Sequence, residues 1–114
     1  MAKILIAEDN VSLRQLMKIH LKRAGYTVYE AADGSDALEV MDHNHVDLII
    51  ADIMMPVMDG YQLIKEIRDA GLDTPILIVT SKDRLEDKRI GFKSGADDYM
   101  TKPYSSKELV LRVN

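Results

Sequence analysis

The sequence predicts an α/β fold, a doubly wound five-stranded parallel sheet with helices on both faces. Three observations predict it. Five short apolar or β-branched runs alternate with five stretches of helical spacing, the pattern of βαβ units. The first, third and fourth runs are almost wholly apolar, as central strands covered on both faces must be. The chain of 114 residues, 46% apolar and 30% charged, suits one domain with a packed core and a solvated surface. Right-handed crossovers then place helices on both sides of the sheet.

Strands are predicted near 3–7, 27–31, 46–51, 76–80 and 98–101. After the first, Leu13, Leu16, Met17, Leu21 and Ala24 recur at helical spacing, and Gly25 closes that helix. Past the second strand and Gly34-Ser35, the residues Ala37, Leu38 and Met41 mark the second helix. The third strand, Val46-Asp47-Leu48-Ile49-Ile50-Ala51, precedes a helix carrying Leu63, Ile64 and Ile67 and closed by Gly71. Ile76-Leu77-Ile78-Val79 forms the fourth strand, and a more charged helix over 84–94 ends at Gly95. The fifth helix starts at Ser105 or Ser106, with Leu109 and Val113 one turn apart. No C-cap glycine or proline follows it, so the domain, 1–114, is expected to be cut in or near this helix.

Composition narrows the function. A net charge of −4 argues against binding nucleic acid by bulk electrostatics within this segment. Without cysteine there is no disulfide framework and no thiolate metal site. No apolar stretch reaches the ~20 residues of a membrane span. Met1-Ala2-Lys3 runs straight into a predicted strand, so no secretory signal is expected. A cytoplasmic location without a membrane partner is the expectation.

The polar residues at the strand exits carry the chemistry. Asp52 ends an apolar strand, where a carboxylate is costly unless paired. Glu8-Asp9 follows Ile4-Leu5-Ile6-Ala7, Thr80-Ser81 follows the fourth strand, and Lys102-Pro103 follows Asp98-Tyr99-Met100-Thr101. Open doubly wound sheets form their sites outside these carboxyl ends, where the strand order reverses. Crowded carboxylates repel one another unless a cation intervenes. Mg²⁺ or Mn²⁺ suits an all-oxygen set, with Asp9 and Asp52 as direct ligands, Glu8 acting directly or through water, and a backbone carbonyl just past Asp52. Asp52 can also act as a nucleophile and carry an aspartyl-phosphate. Lys102 would neutralise charge, and the Thr80 hydroxyl would bond a phosphoryl oxygen. The added ~1.5–2 negative charges would draw Thr80 and its loop inward.

Taken singly, the segments have blander readings. Glu8-Asp9 could cap the following helix. Thr80-Ser81 could be a strand-end pair, Lys102-Pro103 a turn, and Tyr99 a half-exposed strand tyrosine. His20, His43 and His45 read as surface, the methionines as mostly core filler, and Pro56 and Asp59-Gly60 as loop punctuation.

Together these landmarks resemble the receiver domain of two-component response regulators. They are Ile4-Leu5-Ile6-Ala7-Glu8-Asp9-Asn10, Asp52-Ile53-Met54-Met55-Pro56-Val57-Met58-Asp59-Gly60, Thr80-Ser81, and Gly95-Ala96-Asp97-Asp98-Tyr99-Met100-Thr101-Lys102-Pro103. The match covers essentially the whole chain. It implies a flavodoxin-like strand order, 2-1-3-4-5. It implies a sensor histidine kinase as phosphodonor and Asp52 as acceptor. It also implies Mg²⁺ held by Glu8, Asp9, Asp52 and the Met54 carbonyl, and phosphoryl contacts from Thr80 and Lys102. Tyr99 would swing inward when Thr80 moves, and the Lys102-Pro103 bond would be cis.

Glu-Asp replaces Asp-Asp in the first acidic pair, which should preserve metal binding. Met54 and Lys82 stand where polar or acidic residues would orient an attacking water, so a phosphoryl lifetime of minutes to hours is expected. The segment from Ala96 to Arg112 is similar to receivers of winged-helix transcription factors of the OmpR type. That likeness implies a homodimer on activation through Lys88 and Arg89 of the fourth helix, Asp97 and Asp98, both expected on the last strand, and Glu108 and Arg112 of the last helix, with DNA binding only through a separate C-terminal domain. A stand-alone adaptor of chemotaxis type and a phosphorylation-independent pseudo-receiver are the alternatives. A phosphatase of the haloacid dehalogenase type would need an acid two residues after Asp52, where Met54 stands. A flavodoxin-like cofactor carrier would find phosphate repelled by Glu8-Asp9. The expected role is a phosphoacceptor switch, not a turnover enzyme.

Overall fold

The computed structural model describes residues 2–82 and 85–113, with the backbone alone at Ser106. Ten elements alternate: β1 (Lys3–Ala7), α1 (Val11–Arg23), β2 (Thr27–Ala31), α2 (Gly34–His43), β3 (Leu48–Ala51), α3 (Gly60–Asp69), β4 (Ile76–Thr80), α4 (Leu85–Ser94), β5 (Asp98–Thr101) and α5 (Ser106–Val113). The strands form one parallel sheet in the order β2-β1-β3-β4-β5, as the sequence predicts. The expected first residue of the fourth helix, Arg84, lies outside the described residues.

β3 starts two residues later than predicted. Asp47 donates its N–H to the Lys3 carbonyl at 2.8 Å, and its own carboxylate takes the Lys3 N–H at 2.8 Å. The side chain thus replaces a ladder partner, and regular pairing begins at Ile4 opposite Leu48.

Helix starts are set by side-chain caps. Asn10, Asp33 and Asp59 accept from the N–H groups of Leu13, Asp36 and Gln62 at 3.0, 2.8 and 2.9 Å. Gly25, Gly71 and Gly95 close α1, α3 and α4 at positive φ, as the sequence predicts.

Strand residues alternate between two cores. Ile4, Ile6, Ile50, Leu77, Val79 and Met100 pack with Met17 and Leu21 of α1 and Leu109 of α5. Leu5, Ala7, Ile49, Ala51, Ile76 and Ile78 pack with Ala37 of α2 and Leu63, Ile64 and Ile67 of α3. Each fully buried Leu or Ile contributes about 1.5–3 kcal/mol. The central strands are therefore fixed in register, and their carboxyl ends are brought side by side.

Candidate functional site

Asn10 caps α1, so the two acidic residues before it are not the cap. Glu8 continues the ladder past β1 by donating its N–H to the Ala31 carbonyl at 3.0 Å. Its carboxylate is buried, 1% exposed for the residue as a whole. One oxygen accepts from Lys102 Nζ at 2.5 Å and the other from the Asn10 N–H at 3.2 Å. Asp52, also buried, donates its N–H to the Ala7 carbonyl at 3.0 Å. Its Oδ2 accepts from Lys102 Nζ at 2.7 Å and its Oδ1 from the Met54 N–H at 3.1 Å.

One ammonium is thus shared by two buried carboxylates. Lys102 reaches them from the end of β5, where its N–H donates to the Thr80 carbonyl at 2.7 Å and its bond to Pro103 is cis. Burial pushes the Glu8 carboxyl above its ordinary range and the Asp52 charge pushes it further, against the hydrogen bond from Lys102. Burial alone would lower the Lys102 ammonium, but Asp52 and Glu8 outweigh it and hold it above its usual value.

Asp9 is exposed at the rim. One oxygen from each of Glu8, Asp9 and Asp52 lies within 4.8 Å of the others. Three carboxylates against one ammonium leave an excess of negative charge, and the donor set is entirely oxygen. That chemistry fits a hard divalent cation such as Mg²⁺. The Met54 side chain is exposed, and its amide supports Asp52.

Thr80 is fully buried, and its hydroxyl has no hydrogen-bond partner among the described residues. A buried hydroxyl left open is uncommon and calls for an explanation.

Tyr99 is not the half-exposed strand residue that its position alone suggests; it is 6% exposed. Gly91 of α4 makes room for it, since a Cβ there would come within 3.1 Å of the ring. The Tyr99 hydroxyl donates to the Lys82 carbonyl at 2.7 Å, just past Thr80.

In sequence Asp59-Gly60 reads as loop punctuation and as the end of the second landmark. Asp59 in fact caps α3, and Gly60 abuts the loop after β3 so closely that a Cβ would lie 2.4 Å from the Asp52 carbonyl oxygen. The readable signal was an Asp three residues before Gln62, ahead of an apolar helical run.

The charged residues assigned to a dimer face are spread over three settings. Arg112 holds the Asp98 carboxylate at 2.9 and 3.1 Å and lies 3.7 Å from Glu108. Arg89 pairs with Glu86 at 2.7 Å, and Lys88 is half-buried on α4. Asp97 corrects the expectation that it belongs to the last strand. It precedes β5, and its carboxylate is taken by the Ile76 N–H at 2.8 Å and by Arg68 of α3 at 3.0 Å. No helix among the described residues is long and apolar enough to cross a membrane.

Known proteins share this sequence pattern and this fold. The family model described as the response regulator receiver domain matches residues 4–114. The chain is 44% identical over 111 residues to the alkaline phosphatase synthesis transcriptional regulatory protein PhoP of Bacillus subtilis, covering 97% of this chain and 46% of that one. It spans about half the length of the curated relatives it matches. Among solved structures, it is similar to the receiver domain of the Francisella response regulator 1452, with a TM-score of 0.96, 40% identity, and coverage of 100% of this chain and 94% of that one. The chemotaxis protein CheY4 of Vibrio cholerae follows, with a TM-score of 0.94, 37% identity, and coverage of 99% and 96%.

Proposed function

The chain belongs to the response regulator receiver domain family of two-component signalling, and from that premise we propose that it is a switch driven by phosphorylation of Asp52. One observation carries this reading: the Lys102 ammonium bridges the buried carboxylates of Glu8 and Asp52, and the Lys102 N–H is bonded to Thr80, whose buried hydroxyl has no partner among the described residues. In the proposed reaction an Asp52 oxygen bonds to phosphorus as the P–N bond of a phosphohistidine on a sensor histidine kinase breaks. Lys102 then meets the phosphoryl charge, and the Thr80 hydroxyl donates to a phosphoryl oxygen. Glu8, Asp9, Asp52 and the Met54 carbonyl would hold Mg²⁺ or Mn²⁺, which supplies charge neutralisation at the transferred group. Because Tyr99 is bonded to Lys82, a shift of Thr80 and its loop would be felt at β5 and α4.

The protein would act as a switch, not as a turnover enzyme. With Met54 and Lys82 beside Asp52, nothing acidic or amide-bearing stands at those positions to orient water, and a phosphoryl lifetime of minutes to hours follows. The readout would be the α4-β5-α5 face, forming a homodimer through Lys88, Arg89, Asp98, Glu108 and Arg112, with Asp97 at its edge. Arg112→Glu should then weaken phosphorylation-dependent dimers. DNA binding would belong to a separate C-terminal domain, a reading supported by curated relatives about twice this length that are named transcriptional regulators. The proposed setting is the cytoplasm.

Intact-mass analysis after treatment with acetyl phosphate and Mg²⁺ tests the reading. A labile gain of one phosphoryl mass, dependent on metal and absent in Asp52→Asn, is expected. No adduct on the wild type, with beryllofluoride also without effect, would favour a phosphorylation-independent interaction module.

A further inference from the structure

We propose that Arg14 is a positioning residue for the acidic pocket, setting the direction of the Glu8–Asp9 peptide through the Glu8 carbonyl. The inference rests on the reading of Glu8, Asp9 and Asp52 as a divalent-cation site. Glu8 lies just past the end of β1, so its carbonyl needs a partner from outside the sheet ladder. Arg14, one turn into α1, supplies it: Nη1 donates to the Glu8 carbonyl at 2.7 Å. The same guanidinium is braced by Glu30, which accepts from Arg14 Nε at 3.2 Å. Glu30 stands opposite Ile6 in the β1–β2 pairing and also accepts from Gln15 at 2.9 Å and Lys18 at 2.8 Å. β2 therefore holds the α1 guanidinium, and the guanidinium holds the backbone of the pocket.

The consequence falls on Asp9. No hydrogen bond or ion pair holds its carboxylate among the described residues, and it is exposed. Its direction follows from the peptide plane before it, the plane whose oxygen Arg14 grips. The guanidinium meets Glu30 with Nε and the Glu8 carbonyl with Nη1, two nitrogens held in one plane; a lysine offers one freely rotating nitrogen, which does not fix their direction.

Coulomb's law and the positioning role predict opposite results for this residue. Removing a cation beside a metal site should by charge alone tighten divalent binding. Loss of positioning should weaken it, by about tenfold, as for supports that orient metal ligands. Binding of Mn²⁺ alone to the whole protein, followed by electron paramagnetic resonance without any phosphodonor, separates the two. Arg14→Leu is expected to bind Mn²⁺ about tenfold more weakly, and Arg14→Lys is also weakened. Lys18→Leu, which removes a neighbouring support of Glu30 without touching Glu8, should keep wild-type affinity. Unchanged or tighter binding by Arg14→Leu, or an equal loss in Lys18→Leu, overturns the proposal. If Arg14→Leu does not fold, Arg14→Lys decides, and wild-type affinity there overturns it. A wild type that binds no Mn²⁺ overturns the cation-site reading as well, an outcome distinct from Arg14 failing alone.

Discussion

The Tyr99 hydroxyl donates a 2.7 Å hydrogen bond to the Lys82 carbonyl, so the aromatic ring of β5 is tied to the backbone just past Thr80. Tyr99→Phe keeps the packing against Gly91 and removes that donor. Stability should fall by about 1 kcal/mol, read from the urea midpoint. The β4–α4 loop should also lose protection in hydrogen exchange. Unaltered exchange in that loop would mean the bond does not couple the two.

Thr80→Val should act in the opposite direction. The hydroxyl is buried and has no hydrogen-bond partner among the described residues, and the isostere removes an unsatisfied group. The unphosphorylated protein should gain about 1 kcal/mol in urea denaturation, while activation by a phosphodonor is lost. A drop in stability would show that the hydroxyl already has a partner in solution.

At Gly60 the obstruction is backbone, which cannot swing aside. A Cβ would stand 2.4 Å from the Asp52 carbonyl oxygen and 2.7 Å from Ile53 Cα. Gly60→Ala should cost about 1–3 kcal/mol and slow acetyl phosphate labelling of Asp52. Wild-type labelling with wild-type stability would contradict the contact.

The acid limb of stability should involve Glu30. The Lys18 hydrogen bond is the main influence holding its carboxyl below the ordinary 4.5; burial opposes this, and Arg14 assists. A depressed pKa contributes stability above the ordinary value, and that stability is lost as pH falls through the depressed one. Glu30→Gln should therefore cost on the order of 1 kcal/mol near neutrality, with the gap to wild type closing below pH 4.5. A gap that persists in acid would point to packing instead.

Val57 adopts φ 67 while 83% exposed, a left-handed backbone that a β-branched side chain resists. Val57→Gly relieves the strain but adds freedom to the unfolded chain, leaving a net gain of about 0.5 kcal/mol. Thermal unfolding that shifts downward would mean the side chain makes a contact that outweighs the strain.

Much of this was legible beforehand because the signals are local. Strand ranges for β1, β2, β4 and β5 followed from apolar runs, and helix ends from Gly25, Gly71 and Gly95. Glu8, Asp9, Asp52, Thr80 and Lys102 were placed together because strand order alone brings those ends side by side. What was hidden depends on pairing across the fold. The start of β3 turned on Asp47 replacing a ladder bond to Lys3. Asp97 was drawn off the last strand by Arg68 and Ile76, and the burial of Tyr99 depended on a glycine in α4. Arg14 carries no motif; its role appears only once Glu30 and the Glu8 carbonyl lie on either side of it.

The ion pair between Glu8 and Lys102 joins residues 94 positions apart in the chain. During synthesis, Glu8 and Asp52 emerge well before the lysine that neutralises them. A ribosome-bound intermediate lacking β5 would hold two uncompensated acids beneath a sheet missing its edge. The balance of charge at these strand ends is thus completed only when β5 is in place.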